Sequence, residues 1–130
     1  MITPLPRILL GVAAALSAFG GTLHGLAFRR TVAAVAASNL PVFFGAALKM
    51  LWLGDSVTLW LVAILLATIA ARPRSATRPV ILLISLIPAS TAVLIYVFLG
   101  SFFAAHLLLG IAAMAFVAGL QFPSSFSSEA

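Results

Sequence analysis

Long apolar segments constrain this chain more than any other feature of its sequence. Three of them, at 8–28, 80–99 and 102–120, are almost entirely apolar. Each is close to the roughly 20 apolar residues that an α-helix needs to cross the hydrocarbon core of a bilayer. These three stretches are therefore predicted to be membrane-spanning helices.

A fourth span is predicted over 51–71, with a weaker signal. The purely apolar run, 57–71, is short for a crossing, and a full span must start near Leu51 and include Asp55. The hydrophilic loop RPRSATRP follows it, and Gly100-Ser101 forms a tight turn between the last two spans. The sequence thus predicts an all-α, up-down bundle of four transmembrane helices.

Composition supports the same class. Of 130 residues, 64% are hydrophobic and only 7% are charged, whereas a soluble domain carries about a quarter charged residues. The chain is predicted to form one membrane domain over 1–130. Cysteine is absent, which excludes disulfides and thiolate metal sites.

The net charge of +5 does not indicate a nucleic-acid partner. The basic residues flank the apolar segments, where they orient helices and meet lipid phosphates, and they form no continuous stripe. In the four-span arrangement four of them lie on one side and three on the other, which weakly favours cytoplasmic termini. The first group is Arg7, Arg72, Arg74 and Arg78, and the second is Arg29, Arg30 and Lys49.

The segment between the first two spans leaves an alternative open. Ser38-Asn39 and the following Pro41 favour the start of a new helix. We predict a short interfacial helix over 41–50 that leads into the second span. If this helix crosses the membrane itself, the chain has five spans. The basic residues of the chain are then divided more unequally between the two sides of the membrane.

Four polar side chains are predicted to lie at one depth. His24 is near the end of the first span and Asp55 near the start of the second, while Tyr96 and His106 occupy the equivalent places in the third and fourth. In an up-down bundle these positions meet in one layer, about 6 Å below one membrane face at 1.5 Å per residue. The four residues are therefore predicted to form one polar cluster.

Helical periodicity predicts which way these side chains face. Small residues share the helix faces of His24, Tyr96 and His106, which indicates close helix packing and an inward orientation. Asp55 fits less well, because its face is bulky. The stripes are Ala13, Ser17, Gly20 and Gly21 with His24; Ser85, Ala89 and Ala92 with Tyr96; Gly110, Ala113 and Val117 with His106; and Thr58, Leu59, Val62 and Leu66 with Asp55.

A simpler interpretation of the same residues is also open. Histidine and tyrosine near span ends are often interfacial anchors that reach headgroups and water. Asp55 and Ser56 can cap the second helix, since both residue types are preferred N-caps. Lys49 and Trp52 are typical of an interfacial pair.

Several chemistries can use a layer of two histidines and a carboxylate. These residue types can ligate a divalent metal, and facing histidines can bind haem, but no spaced ligand motif is present. A small proton-coupled transporter is a second alternative, with Asp55 as its only membrane-level carboxylate. No catalytic constellation is evident, so an enzyme is not predicted and no cofactor is named.

The remaining hypothesis is an accessory subunit or a bundle that binds a lipid or another hydrophobic ligand. A His ending the first span, the segment WLGDSVTL and the segment FFAAHLLL resemble small four-span bacterial membrane proteins of uncharacterised function. The resemblance implies four spans in the bacterial inner membrane, and it implies no activity. The expected partners are the lipid bilayer and a larger membrane complex or a second copy of the chain.

Topology reporters distinguish four spans from five. With four spans, a reporter fused after Arg30 and one fused after Gly100 should lie on the same side of the membrane, opposite a reporter fused after Arg74. If the reporters after Arg30 and Arg74 share a side, the five-span arrangement is correct.

Overall fold

The protein is built from α-helices throughout the part that the structure, a computed structural model, describes, residues 4–124. Four helical stretches are long and apolar enough to cross a membrane, and the first of them, Pro4–Ala36, contains two helices. A short 3-10 turn, Pro73–Ser75, links the second stretch to the third. The helices are α1, Pro4–Leu26; α2, Phe28–Ala36; α3, Val42–Ala71; α4, Arg78–Leu99; and α5, Phe103–Leu120.

The all-α prediction with four potential spans is confirmed, whereas the separate short helix over 41–50 is not found. That segment is instead the beginning of α3, which runs from Val42 to Ala71 without a break. The strong helix formers Leu51 and Leu53 continue the helix on either side of Trp52, and Gly54 alone does not end it. Asp55 therefore lies well inside α3, so its interpretation as an N-cap is wrong.

The helix α2 was not predicted from the sequence. It follows α1 after a single turn residue, Ala27, and it packs against the beginning of α3. The contact is close at Gly45, where an added Cβ would lie 2.9 Å from Cγ1 of Val35. Together α2 and the first turns of α3 form a helical hairpin beyond the end of α1.

The four long apolar stretches run in alternating directions. At one end of the molecule, Nε of Arg7 donates to the carbonyl of Ala70 at 3.0 Å, so α1 and α3 are antiparallel. At the same end, the backbone N–H of Arg78 donates to the carbonyl of Pro123 at 2.8 Å. The turn at Gly100, which has a φ of 77°, joins α4 to α5 at the other end.

The four candidate spans are ordered α3, α1, α5, α4 across the molecule. Helix α1 packs against both α3 and α5, and α4 packs against α5, while the backbones of α3 and α4 make no comparable approach. Near the Arg7 end, side chains from all four helices share one core. Towards the Gly100 end α3 and α4 leave a gap between them.

Small residues do mark the buried face of α1, as the sequence predicts. Ala13, Ser17 and Gly21 are buried. A Cβ atom added at Gly21 would lie 3.1 Å from the Cβ of Leu59 and 3.1 Å from the backbone oxygen of Ser56, both on α3. This close approach is what small side chains permit between membrane helices.

The stripe predicted for α5 is wrong. Gly110, Ala113 and Val117 are exposed, and His106 is exposed with them. The buried side of α5 carries Ala105, Ala112 and Ala115. Because alanine occurs on both sides of this helix, residue size could not identify which side is packed. On α3 the bulky stripe of Leu59, Val62 and Leu66 is the buried one.

We expect Gly21→Leu to lower the midpoint of thermal unfolding in detergent. A side chain there must displace the backbone of α3, and overpacking typically costs about 1–3 kcal/mol. Gly110→Leu is the matched control, because nothing lies within 4 Å of a Cβ added at Gly110. Equal destabilisation by the two substitutions would contradict the close packing of α1 on α3.

Candidate functional site

A cavity of about 510 Å³ lies at the Gly100 end of the molecule, where α3 and α4 are apart. The last turns of α1 and the first turns of α5 form its back wall. Its walls are Gly20, Leu23, His24 and Ala27 of α1 and the adjoining turn; Leu48, Leu51, Trp52, Asp55 and Leu59 of α3; Thr91, Ile95 and Leu99 of α4; and Phe102, Phe103, Ala104, Leu107, Leu108 and Ile111 at α5.

Nearly the whole wall is apolar, and its two ionisable side chains, His24 and Asp55, form one corner beside the indole of Trp52. The hydroxyl of Thr91 lies apart from them, on the α4 wall. The hydroxyl of Thr91 donates to the carbonyl of Ile87 at 3.1 Å, so its hydrogen atom is used within α4. A mostly apolar cavity with a few polar groups is the usual form of a site for a hydrophobic ligand.

Trp52 holds His24 in place through two different contacts. Its indole stacks on the imidazole, with ring centroids 4.1 Å apart and an interplanar angle of 11°. Its Nε1–H donates to the backbone carbonyl of His24 at 2.8 Å. That carbonyl lies in the last turn of α1, where no later helical N–H is available to it. The indole therefore caps α1 and orients the histidine.

Whereas Trp52 stacks on the face of the imidazole, Ser56 contacts its Nδ1 edge. Its Oγ lies 2.9 Å from Nδ1 of His24 and also 3.2 Å from the carbonyl of Trp52, to which it can donate. With Nδ1 engaged by Ser56, the ring presents Nε2 to the rest of the cavity corner. Nε2 lies 3.7 Å from Oδ2 of Asp55, which is an ion-pair distance when the imidazole is protonated and is longer than a hydrogen bond.

The Asp55 carboxylate makes no side-chain hydrogen bond within residues 4–124. The side chains of His24 and Asp55 are 27% and 35% exposed, so both remain accessible from the cavity. An ionised carboxylate accepts hydrogen bonds and donates none. Among residues 4–124 its ion-pair partner is the imidazole of His24, at 3.7 Å. The pair therefore presents free hydrogen-bonding capacity beside an apolar space.

Tyr96 and His106 form a second, separate pair. The Tyr96 hydroxyl lies 2.6 Å from Nδ1 of His106, and Oγ of Ser101 lies 3.2 Å from Nε2. One ring nitrogen is thus engaged by the last turns of α4 and the other by the turn between α4 and α5. His106 is exposed and does not line the cavity. These contacts close the Gly100-Ser101 turn, which is a structural role.

The four predicted residues thus meet as two pairs, His24 with Asp55 and Tyr96 with His106. In the described part of the chain no hydrogen bond or ion pair joins one pair to the other. The direct partners Trp52 and Ser56 were missed as site residues. Their spacing in the sequence could have identified them, because positions 52, 56 and 59 lie on one helical face with Asp55.

Within residues 4–124, no group of three or more His, Cys, Asp or Glu side chains is placed to hold a metal ion. Among these residue types, the predicted alternative of a histidine-based metal site therefore lacks a third ligand in residues 4–124.

Comparisons with protein-family models, with curated proteins and with solved structures found no match to this chain.

We expect Trp52→Phe to lower thermal stability by about 1 kcal/mol, the usual net contribution of one hydrogen bond. Phenylalanine keeps a ring to stack on His24 but cannot donate to its carbonyl. Trp60→Phe is the control, because Trp60 lies two turns further along α3 and is exposed. If the two substitutions have the same effect, the indole of Trp52 does not cap α1.

Proposed function

We propose that this chain is a multi-pass membrane protein that binds a lipid or another hydrophobic ligand in the cavity between α3 and α4. The observation that carries the proposal is an apolar cavity of about 510 Å³ with one polar corner at His24 and Asp55. An amphipathic molecule matches this distribution, with its apolar chain along the walls and its polar head in the corner.

The position of the cavity also supports a ligand taken from the bilayer. It is lined by residues near the ends of the spans, including Leu99 and Phe102 at the α4–α5 turn. Polar headgroups of a bilayer lie at the ends of membrane-spanning helices. In this proposal a ligand enters sideways between α3 and α4, and its head stays at interfacial depth while its chain lies along the helices.

The cellular setting is part of the same proposal. Four apolar helices are compatible with a multi-pass membrane protein, and we propose the bacterial inner membrane as its location. Large apolar side chains are exposed along every spanning helix. Such surfaces suit lipid, and they also suit a larger membrane complex or a second copy, so an accessory role is compatible with ligand binding.

Filling the cavity tests the proposal. We expect a specific apolar molecule to co-purify with the wild-type protein in near-stoichiometric amount and to be detected by mass spectrometry of an organic extract. Ala104→Phe places a ring in the cavity wall and should remove that molecule. Ala113→Phe, on the exposed side of the same helix, should retain it.

Folding must be verified for both variants by helical circular dichroism and by elution as a single species. If the extract is the same for wild type, Ala104→Phe and Ala113→Phe, the retained lipids are those of the general membrane annulus. The proposal of a ligand site in this cavity is then wrong.

A further inference from the structure

We infer that the corner at His24 and Asp55 selects a ligand head that donates a hydrogen bond, an alcohol or a primary amine, over an anionic head or one that can only accept. This inference rests on the proposed ligand-binding function and adds the chemical class of the head group. It follows from the hydrogen-bonding state of each polar atom in the corner.

Asp55 sets the requirement. When ionised, its carboxylate only accepts hydrogen bonds, and no side-chain or backbone donor in the described residues bonds to it. It contributes the only carboxylate side chain within 4–124, since the other acidic residue is Glu129. A ligand head that approaches Oδ2 must therefore bring a hydrogen atom.

His24 is compatible with this requirement in either neutral tautomer. If Ser56 donates to the carbonyl of Trp52, Nδ1 carries the imidazole hydrogen and Nε2 accepts. An amine, which has several N–H groups, can then donate to Nε2 and to Asp55 together. If Ser56 donates to Nδ1 instead, Nε2–H can donate to a hydroxyl oxygen while that hydroxyl donates to Asp55.

The spacing of the two side chains suits a single small head. Nε2 of His24 and Oδ2 of Asp55 are 3.7 Å apart. One oxygen or nitrogen atom can lie within hydrogen-bond distance of both, at roughly 2.8 Å from each. A water molecule can occupy the same place when no ligand is bound, so the corner is satisfied in both states.

An anionic head is disfavoured by charge. No lysine or arginine lines the cavity, although Arg29, Arg30 and Lys49 belong to the same end of the molecule. With the imidazole of His24 neutral, a carboxylate or phosphate placed in the corner would face Asp55 with no cation of the cavity wall to balance it. Like charges at close range repel more strongly near an apolar environment than in water.

Tryptophan fluorescence can test this selectivity. The Trp60→Phe protein retains Trp52, which lines the cavity, as its only tryptophan. In lipid nanodiscs it would be titrated with bromoalkyl probes of one chain length that carry a hydroxyl, a primary ammonium, a methyl ether or a carboxylate. Bromine quenches the indole on close approach, so saturable quenching measures occupancy of the cavity.

We expect the alcohol to half-saturate Trp52 quenching at about tenfold lower concentration than its methyl ether, as a hydrogen bond to a charged acceptor predicts. The ammonium probe should equal or exceed the alcohol, and the carboxylate should be weakest. Asp55→Ala removes the acceptor and should abolish the difference between alcohol and ether. Circular dichroism confirms that this variant is folded.

Two controls separate the possible failures. In the Trp52→Phe protein the fluorescence comes from Trp60, which is exposed. Quenching of Trp60 by the alcohol and by the ether should differ only through their partition into the bilayer. If all four probes quench Trp52 saturably and equally after correction for partition, and Ala104→Phe prevents it, the cavity binds ligands but this inference is wrong. If no probe gives saturable quenching of Trp52, the proposed function itself is wrong, and the inference fails with it.

Discussion

The contact between α1 and α3 at Gly21 determines the geometry of the site. Because Gly21 has no side chain, the backbone of α1 lies directly against Leu59 and Ser56 of α3. Less than one helical turn further along α1, His24 then meets Trp52 and Ser56 at stacking and hydrogen-bonding distance. A wider separation of the two helices would leave the imidazole, the indole and the hydroxyl each without its partner.

The polar groups of this apolar chain illustrate how long apolar helices accommodate hydroxyl side chains. Ser17, Thr68 and Thr91 donate to backbone carbonyls one turn earlier in their own helices, and no buried side-chain nitrogen or oxygen in the described residues lacks a partner. These local bonds remove the cost of an unsatisfied hydroxyl in hydrocarbon. Against this background, the half-exposed and unbonded carboxylate of Asp55 is distinctive.

The order of the helices produces the cavity. Helix α1 occupies the middle of the row with α5, so α3 and α4 lie on either side. Both outer helices contribute to the common core, with Leu66 from α3 and Ile81 from α4. At the Gly100 end the gap remains, and leucine and phenylalanine side chains line it. The polar corner therefore opens into an apolar space.

The sequence by itself determined the all-α class of the protein and its number of potential spans, and it predicted one depth for the four polar residues. These follow from hydropathy, helix length and rise per residue, which are properties of each segment alone. It also identified the packed face of α1, where a glycine pair and a serine lie on one side. It could not identify the packed face of α5, since alanine occurs on both sides of that helix.

Only the tertiary structure decided which helices are neighbours and which polar residues meet. Two residues at one depth can be adjacent or far apart, depending on helix order and rotation, and periodicity fixes neither between separate helices. His24 therefore pairs with Asp55 across the α1–α3 contact, whereas His106 pairs with Tyr96 across a tight turn. The cavity could not be predicted for the same reason, because it is formed by the separation of α3 from α4, and no single segment encodes that separation.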